Sequence, residues 1–125
     1  MRALLVDDSR TDRRLICKLL ESSDLSVEVT EVPDATTALN VLTTETFDCL
    51  LVDQRMPGIA GTEFIRSFRD RETDQRTHIL VLSGENSNTL TIEEAVGAGG
   101  DFFMAKQDLT ASRLKAVLRC LGPGR

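Results

Sequence analysis

Short apolar runs recur along this chain, and most of them end in a polar cluster. Residues 3–6 run into Asp7-Asp8-Ser9, 47–52 into Asp53, 79–82 into Ser83-Gly84, and 102–105 into Lys106. Segments with helical spacing lie between them, so strands and helices alternate. Parallel strands need crossover connections, and alternating β and α segments with short links supply them. The strands of such a sheet all end at one edge, where residues far apart in sequence converge on a single crevice. Asp7, Asp8, Asp53, Ser83 and Lys106 are therefore expected to meet. Carboxylates, a hydroxyl and an ammonium together suit a hard divalent cation and a phosphoryl group.

The segments between the runs carry their own signals. A first helix is expected to bury Leu15, Ile16, Leu19 and Leu20. Residues 27–32 alternate apolar and polar, which places this strand towards a sheet edge. Asp34 is the expected cap of a second helix with Ala35, Ala38, Leu39 and Leu42 on its stripe. Met56-Pro57-Gly58 breaks the chain before a third helix marked by Phe64, Ile65 and Phe68. The fourth helix should face inward with Ile92, Ala95 and Val96 and close on Gly97, Gly99 and Gly100. Asp108 is the expected cap of the last helix, whose face is Leu114, Val117, Leu118 and Leu121. His78 is expected at a strand edge. The result is a doubly wound α/β fold of five βα units, with a five-stranded parallel sheet in the flavodoxin-like order 2-1-3-4-5.

Composition narrows the class. A chain of 125 residues, 41% hydrophobic and 28% charged, makes one ordinary globular domain. The domain is expected over residues 1–121, with 122–125 a tail or the start of a linker. A net charge of −5 argues against direct nucleic-acid binding. No apolar run approaches the roughly 20 residues of a membrane span, and the apolar run after Met1 is too short for a signal peptide. Cys17, Cys49 and Cys120, odd in number and in apolar surroundings, read as the reduced thiols of a cytoplasmic protein.

Asp7-Asp8, then Asp53-Gln54-Arg55-Met56-Pro57 with Gly61, then Ser83-Gly84, then Asp101 to Lys106, resembles the receiver domain of two-component response regulators, chemotaxis regulators among them, over essentially the whole chain. The resemblance implies that Asp53 accepts a phosphoryl group. It assigns Mg²⁺, with Mn²⁺ as a substitute, to Asp8 and Asp53 directly, Asp7 through water and the Arg55 backbone carbonyl. Lys106 would pair with the phosphoryl oxygens or, before phosphorylation, with Asp53. Ser83 would hydrogen-bond the phosphoryl group, and Phe103 occupies the switch-aromatic position. The implied partners are a histidine kinase or histidine phosphotransfer protein and an unidentified output partner or fused output domain. Phosphorylation-linked dimerisation is a further implied property. No separate substrate is implied, only phosphorylation and dephosphorylation at Asp53.

The physical chemistry of the residues runs parallel. A carboxylate can attack phosphorus in line and form an acyl phosphate. Asp7 and Asp8 cannot easily sit ionised beside it without a cation. Singly, each residue has an ordinary use: Asp7-Asp8 at a helix start, Asp53 and Ser83-Gly84 in turns, Lys106 in solvent, Phe103 in the core. Their joint occurrence at corresponding strand ends is what selects the phosphoacceptor switch. Two other classes stay open: a pseudo-receiver that docks without phosphorylation, and an aspartate-nucleophile phosphohydrolase. The latter is disfavoured because Arg55 stands where such hydrolases carry a second acid.

Three departures from the family pattern shape further expectations. Gln107 follows Lys106 where proline is usual, so a trans bond is expected there, since a non-proline cis bond costs about 2.5–4 kcal/mol. Phe103 lacks the hydroxyl of a switch tyrosine. Arg55 and Glu85, each two residues after a site residue, could pair over the site and tune phosphoryl hydrolysis.

Overall fold

The computed structural model describes residues 1–56, 58–72, 77–84 and 89–121, the side chains of residues 89–91 and 121 excepted. In chain order the elements are β1 (Arg2–Val6), α1 (Arg10–Glu21), β2 (Glu28–Val32), α2 (Ala35–Val41) and β3 (Cys49–Asp53). They continue with α3 (Gly61–Arg71), β4 (His78–Ser83), α4 (Thr89–Ala98), β5 (Phe102–Ala105), a 3₁₀ turn (Lys106–Asp108) and α5 (Ala111–Leu121). The strands form one sheet in the order β2-β1-β3-β4-β5, and every neighbouring pair is parallel. The expected architecture and strand order are those observed.

Burial follows from the sequence of each strand. Leu4, Leu5, Leu50, Leu51, Leu80 and Leu82 are all fully buried, because β1, β3 and β4 are covered on both faces. Alternate residues feed two separate cores. Leu4, Val6, Leu50, Val52, Ile79 and Val81 face α2, α3 and α4, where they meet Ala38, Phe64, Ile65 and Ala95. Leu5, Leu51, Leu80 and Leu82 face α1 and α5, where they meet Ile16, Leu20, Leu114 and Leu118. The alternating strand β2 lies at the sheet edge, as its pattern indicates.

Several local expectations need correction. Leu15 is 51% exposed, because α1 presents Ile16 and Leu20 to the sheet and a residue one step earlier lies about 100° off that face. Among the described side chains of α4 the inward ones are Ala95 and Ala98, while Ile92 and Val96 are 42% and 63% exposed. Small side chains let this part of the helix lie close to the sheet and turn Ile92 and Val96 outward. Asp108 belongs to the 3₁₀ turn, and Thr110 caps α5, its hydroxyl accepting from the Arg113 N–H at 3.1 Å. His78 opens β4, a strand paired on both sides, with Nδ1 3.9 Å from Asp101 Oδ2. The Asp34 cap is present, accepting from the Thr37 N–H at 2.7 Å. Cys49 is buried, Cys17 half-buried and Cys120 exposed, and none is in a disulfide.

One polar network closes the edge of the sheet away from the strand C-termini. The Arg69 guanidinium donates to the Gly99 carbonyl at 2.9 and 3.1 Å and to the Thr77 carbonyl at 2.6 Å. It also contacts the carboxylates of Glu72 and Asp101, each at 2.9 Å. Asp101 in turn accepts from the Ile79 N–H at 2.8 Å. A planar fork with five donors satisfies α3, the end of α4 and the starts of β4 and β5 together.

Candidate functional site

The strand order reverses direction between β1 and β3, and open α/β sheets carry their ligand crevice at such a switch point. Asp7 follows directly after β1 and Asp53 is the last residue of β3, so the topology itself sets these two carboxylates side by side. Asp7 is 0% and Asp53 5% exposed, whereas Asp8 is exposed. One oxygen from each of Asp7, Asp8 and Asp53 lies within 4.8 Å of the other two. Ser83, 1% exposed, ends β4 next to β3, with Leu82 paired to Asp53 and its carbonyl accepting from the Gln54 N–H at 2.8 Å.

Lys106 enters from the first position after β5. Its Nζ lies 2.7 Å from Asp7 Oδ2, 2.8 Å from Asp12 Oδ2 and 3.4 Å from Asp53 Oδ2. The Lys106–Gln107 peptide is trans, as expected without proline, and the chain continues in the 3₁₀ turn. The three aspartates and the lysine are thus brought together as the sequence indicates.

The loop after β3 has a steric requirement of its own. A Cβ on Gly61 would stand 2.5 Å from the Asp53 carbonyl oxygen and 2.9 Å from Gln54 Cα. Both neighbours are backbone, so no side-chain shift relieves the overlap, and only glycine fits where α3 begins against the end of β3. The Gly61 N–H donates to the Gln54 carbonyl at 3.1 Å, which closes this loop. Asp53 Oδ1 accepts from the Arg55 N–H at 3.2 Å. Arg55 is exposed and, with Asp8, Gln54, Met56 and Ala60, lines an open cleft of about 460 Å³ beside the acidic cluster.

Charge at the site is unbalanced. Burial, and then the charge of Asp7, push the Asp53 carboxyl up to about 6, against partial relief from Lys106 and the Arg55 N–H. Burial alone would lower Lys106, but the Asp12 and Asp7 carboxylates and the charge of Asp53 outweigh it and hold the ammonium above its ordinary value. Asp7 Oδ2, although near Lys106, accepts no well-directed hydrogen bond. A buried carboxylate oxygen lacking such a bond, beside two further carboxylates, is a donor set that fits a hard divalent cation.

Phe103 is half-buried in β5 and packs against the core under α3 and α4, while its neighbour Phe102 is 39% exposed. Glu85, and with it the expected Arg55–Glu85 pair, lies outside the described residues. Asp12 is the site residue that the sequence did not reveal. Its position three residues after Ser9 reads as the start of a helix, and its contact with Lys106 spans 94 residues.

The response regulator receiver domain family matches residues 3–119 of this chain. The chain is 36% identical over 115 residues to the chemotaxis protein CheY of Pseudomonas aeruginosa, covering 92% of this chain and 90% of that protein. It is 34% identical over 119 residues to CheY-3 of Vibrio cholerae, covering 94% and 88% of the two. Among solved structures, CheY4 of Vibrio cholerae has a TM-score of 0.83 at 24% identity over 97% of this chain and 98% of its own, a likeness of fold. The receiver domain of the histidine kinase CKI1 from Arabidopsis thaliana, solved with Mg²⁺ and BeF₃⁻, has a TM-score of 0.80 at 26% identity over 96% and 88% of the two chains. A parallel sheet that gathers its acids at the β1–β3 switch point and the family match across nearly the full length lead to one conclusion: the chain belongs to the response regulator receiver domains.

Proposed function

We propose that this chain is a phosphoacceptor switch in which Asp53 takes a phosphoryl group from a histidine kinase or a histidine phosphotransfer protein. The observation that carries the proposal is the convergence of Asp7, Asp8, Asp53 and Lys106 on one crevice. In the transfer, an Asp53 carboxylate oxygen bonds to phosphorus, the bond from phosphorus to the donor nitrogen breaks, and the donor leaves with that electron pair and takes up a proton. Such a step is largely positioning and charge neutralisation. Asp53 supplies the nucleophile from a buried strand end, and the Lys106 ammonium lies close enough to meet the developing charge on the phosphoryl oxygens. Asp7, Asp8 and Asp53, with the Arg55 carbonyl, would hold Mg²⁺, or Mn²⁺ in its place. The cation, when bound, neutralises carboxylate and phosphoryl charge. The Mg²⁺ and BeF₃⁻ complex of the related plant receiver supports this assignment.

Ser83 then hydrogen-bonds the phosphoryl group, and Phe103 repacks in response. The surface that responds is α4, β5 and α5, where Ile92, Val96 and Phe102 are already exposed. An output partner, an output domain beyond residue 121, or a second copy of the chain would read that surface. Intact-mass measurement after incubation with acetyl phosphate tests the assignment. The expected result is one phosphoryl adduct that requires Mg²⁺ and is absent in Asp53→Asn. No adduct on the wild type, together with no binding of beryllium fluoride, would refute it.

A further inference from the structure

Asp12 is a carboxylate at this site that the transfer step leaves unused, and its placement has a local cause. It is the third residue of α1, three after the capping Ser9, whose hydroxyl accepts from the Asp12 N–H at 3.2 Å. In that arrangement the third side chain ordinarily folds back onto the N–H of the capping residue. Here the Ser9 N–H is already donated to Asp7 Oδ1 at 2.8 Å. The Asp12 carboxylate instead crosses to Lys106, which donates to its Oδ2 at 2.8 Å.

Lys106 is therefore closer to Asp7 and Asp12 than to Asp53, which stands at 3.4 Å. An ammonium has three protons, and three carboxylates surround this one. A phosphoryl group on Asp53 takes over the long Asp53 contact, and it draws the ammonium fully onto itself only by stretching one of the two shorter ones. Exposure decides which. The Asp7 side chain is 0% exposed and would be stranded without a counter-charge, whereas that of Asp12 is 38% exposed and rehydrates readily.

We propose that Asp12 is a positioning residue: it holds Lys106 in the unphosphorylated protein and releases it to the phosphoryl group, so that it competes with phosphorylation and sets its equilibrium. This rests on Asp53 being the phosphoacceptor. The exchange also cuts a tie between α1 and the turn after β5, since these two elements carry Asp12 and Lys106.

The test is beryllium fluoride binding in saturating Mg²⁺, followed by NMR because the chain has no tryptophan or tyrosine to report it. Asp12→Asn should bind about twofold to fivefold more tightly than wild type, the range set by a part-exposed ion pair. In a Lys106→Met background, or Lys106→Gln if the first is unstable, the same substitution should change nothing. The Lys106 Nζ resonance should also move in Asp12→Asn before any ligand is added. Unchanged or weaker binding in Asp12→Asn overturns the proposal. So does equal tightening with and without Lys106, which would mean plain repulsion between Asp12 and the anion. A purely structural role would shift thermal stability and leave the affinities alone, which also counts against it. If the wild type itself fails to bind, the phosphoacceptor assignment falls, and this inference with it.

Discussion

Replacing Asp53 by asparagine should make the metal-free protein more stable, although it removes the central group of the site. Asp53 is 5% exposed and its carboxyl is raised from 3.8 to about 6, first by burial and then by the Asp7 charge. At 1.36 kcal/mol per unit, holding it ionised at neutral pH costs about 3 kcal/mol. Asparagine keeps the shape and removes that cost. The lost contact with Lys106 at 3.4 Å returns part of it, but Lys106 keeps Asp7 and Asp12 at 2.7 and 2.8 Å. A net gain of about 2 kcal/mol is expected, or about 1 M in urea midpoint at an ordinary m-value. The sign follows from the folded pKa lying above the unfolded one. Asp53 imposes no penalty below 3.8, and stability is lost as pH rises through about 6. The advantage of Asp53→Asn should therefore be full above pH 7 and vanish near pH 4. Urea unfolding in EDTA across this range is the assay. Equal stability at neutral pH, or a difference independent of pH, would refute the electrostatic reasoning. Mg²⁺ should reverse the order, because ligand binding stabilises only a chain that can hold it.

Lys106→Met should bind Mg²⁺ more tightly, by about tenfold, because a competing positive charge is removed from the acidic cluster, and calorimetric titration reads this directly. Gly61→Ala should destabilise the fold by about 2 kcal/mol and shift the resonances of Asp53 and Gln54, since the new methyl has only backbone to displace. Arg69→Ala should cost about 3 kcal/mol in chemical unfolding, as it removes the cation beside Asp101 and Glu72 and the donors to two carbonyls. Arg69→Lys should not restore the loss, because a point charge cannot span four partners in a plane.

How much of this was legible in the chain differs by element. β1, β3 and β4 announced themselves as unbroken apolar runs, because strands covered on both faces need no alternation. Once their parallel order was inferred, the meeting of Asp7, Asp53 and Lys106 followed from topology alone. Helix orientation was less visible. In α1 and α4, more apolar residues are available than one face can bury, and contact with the sheet selected Ile16 over Leu15 and Ala95 over Val96. The cap of α5 was ambiguous for a similar reason. Asp108 and Thr110 are both good capping residues, and the 3₁₀ turn after Lys106 left the role to Thr110. Asp12 was illegible because its local meaning, an acid in a first helical turn, is complete without its distant partner.

The way α4 is fastened has a mechanical consequence. Among its described side chains, only those of Ala95 and Ala98 are buried, worth about 1 kcal/mol each, whereas α1 buries Ile16 and Leu20 at about 2 to 3 kcal/mol each. Just past its C-terminus, however, the Gly99 carbonyl is gripped twice by Arg69. A rod pinned at one end and lightly held over residues 92–98 acts as a lever, and its pivot lies at the sheet edge opposite the acids. Amide hydrogen exchange should accordingly be faster through the body of α4 than in α3, and uniform protection of the two helices would deny that picture. A displacement beside Ser83, at the end of α4 away from this pivot, would then swing Ile92 further than Val96, which lies nearer Arg69.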